Sequence, residues 1–262
     1  MMGDQTSGTG LNMLRFGAAS ERPKLMIVHG LFGSARNWGA IAKRLSDSRE
    51  VICVDMRNHG ESFWLAQHGY ADMASDLAQV IRAEGSALDV LGHSMGGKAA
   101  MMLALSAPDL VHRLLVADIA PVAYAHSQRP LIAAMRSVPL DQVSRRADAD
   151  AVLAQSVDDA SIRAFLLQSL DFRTTPARWR LNLDVLDREM DQITGWPEPE
   201  GTYDRPALFL SGALSDYVKP DQRPVIRALF PQARFAKLPG VGHWLHAEAP
   251  RPFEQSVRVW FD

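Results

Sequence analysis

Cysteine is nearly absent from this chain of 262 residues. Cys53 is the only one, so no disulfide can form within the chain. It lies in the apolar run Val51-Ile52-Cys53-Val54, which points to a buried structural thiol rather than a reactive one. No apolar stretch approaches the ~18 residues needed to cross a bilayer. The N-terminus lacks the basic and apolar segments of a signal peptide. Neither charge sign is in excess: 28 Lys and Arg stand against 30 Asp and Glu, a formal net charge of −2. That balance excludes the electrostatic footprint expected for nucleic acid or an anionic membrane surface. Internal repeats and long low-complexity tracts are also missing. The expectation is a soluble cytoplasmic protein with no membrane span and no nucleic-acid partner. What is present is ordinary globular composition, 47% hydrophobic and 22% charged. The length suits one α/β domain with an insertion as well as two small domains. The first ten residues, Gly-rich and polar, read as a loose tail.

Apolar, β-branched runs recur at 25–28, 51–55, 88–91, 114–118, 207–211 and 234–238. Most are continuous rather than alternating, as expected of parallel strands covered on both faces. Helical patterns lie between most of them. Over 70–83, Met73, Leu77, Val80 and Ile81 make one apolar stripe, with Asp72, Asp76, Gln79 and Arg82 off it. Residues 99–105 are apolar all round, the mark of a buried helix, and a last helix is expected from about Pro252. Strand–helix alternation of this kind implies an α/β fold with a mostly parallel sheet and right-handed crossovers. Residues 121–201 break the alternation. They carry helical stretches at 129–137, 141–155, 158–170 and 178–190 and no convincing strand, so they read as a helical cap inserted between two strands.

The octapeptide Leu91-Gly92-His93-Ser94-Met95-Gly96-Gly97-Lys98 carries the sharpest chemical signal. It follows a strand run and leads into a helix, and its core is Gly-x-Ser-x-Gly, the pattern of a nucleophile elbow. Glycines two before and two after the serine allow the tight strand-to-helix turn that exposes its hydroxyl. The same residues nearly spell a phosphate-binding loop, Gly-x4-Gly-Lys, but Ala99 stands where a Ser or Thr should ligate magnesium. A serine nucleophile needs a base, and that base an orienting acid, in the chain order Ser, Asp or Glu, His. His243, in the loop Pro239-Gly240-Val241-Gly242-His243-Trp244 after the sixth apolar run, is the candidate base. Its neighbour at a helical turn, His246, reads as packing or capping. Two aspartates end strands in the right order, Asp118 and Asp216, and the residues leave the choice open; Asp204 precedes its strand. The oxyanion hole calls for two backbone N–H groups. Met95, directly after the nucleophile, supplies one, and Leu31 in His29-Gly30-Leu31-Phe32-Gly33-Ser34 the other. His29 and His93 read as hydrogen-bonding scaffold. Phe32 and Trp244 are the candidate substrate contacts. The polar stretch Asp55 to Ser62 reads as a turn in which Arg57 pairs with Asp55 or a backbone carbonyl.

Together these pieces resemble the α/β-hydrolase superfamily over nearly the whole chain. The finer wording resembles the small bacterial esterases of the YbfF type: His29 to Ser34, Arg57-Asn58-His59-Gly60, Gly92 to Lys98 and Asp118-Ile119-Ala120-Pro121. The resemblance implies an eight-stranded, mostly parallel sheet with a core over 11–120 and 202–262 and a helical cap over 121–201. It implies a serine hydrolase of carboxylic esters or acyl thioesters, working through an acyl-enzyme on a small-molecule substrate with no cofactor and no metal. It matches the triad acid to Asp118, while the commoner superfamily position matches Asp216. The alternatives are a carbon–carbon bond hydrolase with the same triad and a ligand receptor that retains it. Of the cap, Leu131, Met135, Phe165, Leu166, Trp179 and Leu183 are expected to pack on the core, some of them roofing the acyl pocket.

Overall fold

A computed structural model describes residues 10–262; the expected N-terminal tail falls, apart from Gly10, outside the described residues. The chain order is β1 (Met13–Phe16), β2 (Leu25–Val28), α1 (Gly39–Leu45), β3 (Val51–Val54), α2 (Tyr70–Glu84), β4 (Leu88–His93), α3 (Met95–Ser106) and β5 (Val111–Ala117). Then come α4 (Arg129–Arg136), α5 (Arg146–Leu153), α6 (Ala160–Leu166), β6 (Leu170–Asp171), β7 (Arg178–Trp179), α7 (Leu183–Arg188) and α8 (Met190–Thr194). The chain closes with β8 (Ala207–Gly212), α9 (Arg223–Leu229), β9 (Ala233–Leu238), α10 (Leu245–Glu248) and α11 (Pro250–Phe261).

One sheet of seven strands has the order β1-β3-β2-β4-β5-β8-β9. Six strands run parallel, and β1 pairs antiparallel with β3 at the edge. Eight strands were expected; among the described residues the sheet has seven. The continuous apolar runs have a simple cause. In β2, Leu25 and Ile27 face one layer and Met26 and Val28 the other; in β3, Val51 and Cys53 oppose Ile52 and Val54. Alternating side chains meet helices on both sides, so every position must be apolar. One layer is built by α1 and α11 through Ile41, Leu45, Phe253, Val257 and Phe261. The other is built by α2 and α3, with Met73, Leu77 and Ile81 of the α2 stripe buried. Each such side chain taken out of water contributes about 1.5–3 kcal/mol. Burial also pushes the Cys53 thiol up to about 12, so it stays protonated.

The segment between β5 and β8 differs in detail from its sequence pattern. The helix expected over 141–155 starts only at Arg146, where the Asp148 carboxylate accepts from the Arg145 amide at 3.1 Å. The helix expected from 178 starts at Leu183, capped by the Asn182 side chain. Arg178 and Trp179 instead pair with Asp171 and Leu170 as a two-stranded ribbon. This segment is tied to the sheet layer through the loop after β3. The Gly60 amide donates to Arg180 O at 2.8 Å, and the Asn182 amide to Asn58 O at 3.0 Å. Arg57 pairs with Asp76 of α2 at 2.6 Å rather than with Asp55, and donates to the backbone carbonyl of Asp72 at 3.1 Å as the alternative expected. The Asp55 carboxylate accepts from the Ala35 and Glu61 amides and the Asn12 side chain. Two guanidinium hydrogen bonds to the α2 carboxylate outcompete a neighbour already saturated by neutral donors. No helix among the described residues is long and apolar enough to cross a membrane.

Candidate active site

Sheet register brings the candidate groups to one rim. Val28 pairs with Gly92, Gly92 with Val116, and Ala117 with Leu210. The C-terminal ends of β2, β4, β5 and β8 therefore lie side by side, where open α/β sheets gather reactive groups. Between β4 and α3 the chain turns through Ser94 at φ 53°, ψ −122°. A non-glycine residue there costs about 1–3 kcal/mol of strain. The flanking glycines make the turn possible: a Cβ on Gly96 would sit 2.4 Å from His29 O, and one on Gly92 2.4 Å from Gly96 O. With these in place the Ser94 hydroxyl stands above the sheet, at the N-terminus of α3.

The His243 loop after β9 reaches this hydroxyl. Ser94 Oγ donates to His243 Nε2 at 3.1 Å, and His243 Nδ1–H donates to Asp118 Oδ2 at 2.7 Å. Asp118 is fully buried and sits one residue beyond β5 at φ 54°. Its Oδ1 accepts from the Gly212 amide at 2.9 Å, and its Oδ2 from the Ser215 hydroxyl. Asp216 is not brought to the imidazole. It is exposed and makes no hydrogen bond or ion pair among the described residues. Ser215, just before it, turns inward instead and donates to Asp118. Ser215 and Tyr217 were not singled out from the sequence. A hydroxyl beside an acidic residue after a strand is too common a pattern to reveal them.

The loop after β2 is held by histidines. The Met56 amide donates to His29 Nε2 at 3.0 Å, so His29 Nδ1 carries the hydrogen and donates to Gly30 O at 2.8 Å. The Phe32 amide donates to His59 Nε2 at 3.2 Å, and Phe32 adopts φ 63°. Burial holds the His29 and His59 imidazoles below their ordinary range, which keeps them neutral and able to accept. Among the described residues the Leu31 and Met95 amides have no intramolecular acceptor. Two unsatisfied N–H groups beside a serine hydroxyl suit a developing oxyanion. His93 is buried and donates from Nε2 to His243 O at 2.9 Å; desolvation keeps it neutral beside the His243 ring. His246 stacks on Trp38 at 4.1 Å.

Ser94 opens into a cavity of about 260 Å³. Phe32 and Trp244 line it near the serine, and Leu131, Ile162, Phe165 and Ile193 of the intervening segment cover it. Met135, Leu166, Trp179 and Leu183 do not line this cavity and are buried in the core cluster shared with the sheet. Lys98, one turn along α3 from Ser94, is buried rather than on the surface and contacts the segment between β5 and β8. Its ammonium donates to Thr194 O at 3.0 Å and Gly195 O at 2.6 Å and faces the Tyr124 ring at 4.8 Å. Burial lowers it to about 7. Tyr124 and His126 border the same cavity.

A model of the alpha/beta hydrolase fold matches residues 23–250. The chain is 41% identical over 244 residues to the sn-1-specific diacylglycerol lipase ABHD11 of Mus musculus, covering 90% of this chain and 80% of that one. It is 39% identical over 241 residues to esterase YbfF of Escherichia coli K12, covering 91% and 92%. A solved structure described as a marine microorganism esterase superposes with a TM-score of 0.91 at 35% identity, over 96% of this chain and 99% of that one.

Proposed function

The chain belongs to the alpha/beta hydrolase family and is an ester-bond hydrolase, and on that premise we propose that Ser94, His243 and Asp118 form its catalytic triad. The observation that carries this reading is the continuous line from Ser94 Oγ through both imidazole nitrogens to the buried Asp118 carboxylate, at 3.1 and 2.7 Å. Ser94 Oγ attacks the ester carbonyl carbon while His243 Nε2 takes its proton. The Leu31 and Met95 amides hold the oxyanion. As the tetrahedral intermediate collapses, Nε2 returns the proton to the leaving oxygen and an acyl-Ser94 ester remains. Water then repeats the sequence, with His243 as base, and releases the acid.

Residues 121–201 act as a helical cap on a core of 11–120 and 202–262, roofing the acyl site. A cavity of about 260 Å³ lies just below the usual range of ligand sites, roughly 300 to 1,000 Å³. Short and medium acyl groups, on alcohol or thiol leaving groups, are the fitting substrates. A panel of p-nitrophenyl esters of rising chain length, set beside acyl thioesters of the same chains, measures this. Ser94→Ala must lose both p-nitrophenyl butyrate hydrolysis and labelling by a fluorophosphonate. Labelling that persists in that variant removes Ser94 as the nucleophile.

A further inference from the structure

Tyr217 lies against the catalytic imidazole in a way the triad does not require. The two rings are nearly parallel, 22° apart, with centroids at 4.1 Å. Tyr217 is itself held by one ring bond and two backbone bonds. Its hydroxyl hydrogen-bonds His126 Nε2 at 2.8 Å, its carbonyl accepts from the Tyr124 hydroxyl at 2.6 Å, and its amide donates to Ser215 Oγ at 3.3 Å. Tyr124 and His126 belong to the segment between β5 and β8, so that segment's seating sets the tilt of the ring against His243.

The remaining surroundings of His243 carry no competing positive charge. Asp118 faces Nδ1 and Ser94 faces Nε2. The His93 ring lies at 4.8 Å and the Trp244 ring at 6.2 Å. Desolvation keeps His93 neutral, and His246 behind it is lowered to about 4 by burial. His126 is also lowered, chiefly by desolvation. Lys98, the nearest ammonium of the cavity wall, points away into the Thr194 and Gly195 carbonyls. When the Ser94 proton arrives on Nε2, the new cation thus meets one carboxylate at its edge and one electron-rich ring on its face.

We propose that Tyr217 is a positioning residue for the reaction, holding the His243 ring in plane with Ser94 and Asp118 and stabilising its protonated form through the face of the phenol ring. The idea rests on His243 being the base. Attraction between a cation and an aromatic face is strongest where water is excluded. The imidazolium exists only between proton uptake from Ser94 or water and proton delivery to the leaving group. The stack therefore favours the transition states over bound substrate, and its loss falls on kcat rather than KM.

A substitution series at position 217 tests this. Tyr217→Phe keeps the ring, loses the His126 bond and serves as the reference. Tyr217→4-fluorophenylalanine and Tyr217→3,4,5-trifluorophenylalanine, introduced by codon suppression, preserve the ring's shape while draining its face of electron density. On p-nitrophenyl butyrate, kcat is expected to fall stepwise with fluorine number, by about five- to tenfold at the trifluoro ring, with KM steady. Tyr217→Leu, which removes the π face, must fall at least as far. A flat kcat across the fluorinated rings overturns the proposal, as does a series in which KM alone rises, since the ring would then be touching substrate. Fluorophosphonate labelling of Ser94, abolished by His243→Ala, is read in parallel. Labelling that survives that change defeats the triad itself, whereas its loss beside a flat fluorine series defeats only the role of Tyr217.

Discussion

Asp89 in β4 and Asp118 beyond β5 are both buried to 0% exposure, and their partners differ in kind. Asp89 meets charge: Arg49 at 2.7 Å and Arg113 at 2.8 Å, with His112 Nδ1 at 2.9 Å. Asp118 meets neutral donors only, the Gly212 amide, the Ser215 hydroxyl and the His243 imidazole. The first carboxylate is neutralised by permanent cations and belongs to the fold. The second has a single possible counter-charge, which appears when His243 takes a proton. Burying an anion without a cation is unfavourable. In the proposed mechanism that unfavourable term is held in reserve and relieved along the reaction coordinate, which is how a preorganised site stabilises a developing charge. The position in the sheet matches the partition. Asp89 lies near the start of β4 among the C-terminal residues, and Asp118 lies at the opposite rim.

Between these two aspartates, removing charge at Asp118 is expected to have the larger effect on catalysis. Asn in its place can present an N–H to Nδ1, which favours the wrong imidazole tautomer and leaves the imidazolium without its anion. The expected loss in kcat is up to ~10⁴, about 5 kcal/mol of transition-state stabilisation. KM should change little, and the melting temperature should hold, because the neutral donors around position 118 suit a neutral side chain. Steady-state kinetics with a thermal melt check both halves. A fall in stability without a fall in kcat would reverse the contrast between the two aspartates.

Asp89→Asn is the mirror experiment. It leaves Arg49 buried with one fewer anion, although Arg49 keeps Asp262 at 2.9 Å. Breaking a buried pair from one side costs about 3–5 kcal/mol. At roughly 2–4 °C per kcal/mol for a chain of this size, the melting temperature should drop by about 10 °C. The folded fraction, titrated with a fluorophosphonate, should turn over at the parental rate per labelled site. A loss of rate at full stability would mean that the Asp89 end of the sheet reaches the active rim.

The local chemistry of this site is legible in the sequence, and its long-range contacts are much less so. Ser94 announces itself because an elbow must be built from glycines at fixed spacing, and those glycines answer clashes within a few residues of the serine. The loops of His243, Leu31 and Met95 follow because catalytic groups gather at strand ends. The acid stays ambiguous because two aspartates end adjacent strands. What separates them is the backbone turn at Asp118, φ 54°, and the register that lays the Gly212 amide on its carboxylate, both products of the folded sheet. Ser215, Tyr217 and the buried ammonium of Lys98 escape for the same reason: each is ordinary in composition and is defined by a partner on a distant segment. The edge strand Met13–Phe16 escapes because it is partly exposed and carries weak apolar patterning, so its pairing with β3 alone makes it a strand.

The smallest expected effect belongs to Asp216, and it sharpens the contrast most finely. Asp216 shares with Asp118 the residue type, the chain order and the place after a strand, yet it lies exposed while its neighbours Ser215 and Tyr217 turn toward Asp118 and His243. An exposed carboxylate without a partner contributes within about ±0.5 kcal/mol. Asp216→Asn should therefore hold kcat/KM within about twofold and leave the melting temperature in place, assayed beside Asp118→Asn on p-nitrophenyl butyrate. Loop 213–219 gives the alternative a physical route: turned over by one residue, it would withdraw the Ser215 hydroxyl and offer the Asp216 carboxylate to Nδ1. A hundredfold loss at Asp216, with Asp118→Asn mild, would show that this turned-over loop is the working one in solution. The buried, charge-starved carboxylate of Asp118 would then belong to the fold, as Asp89 does.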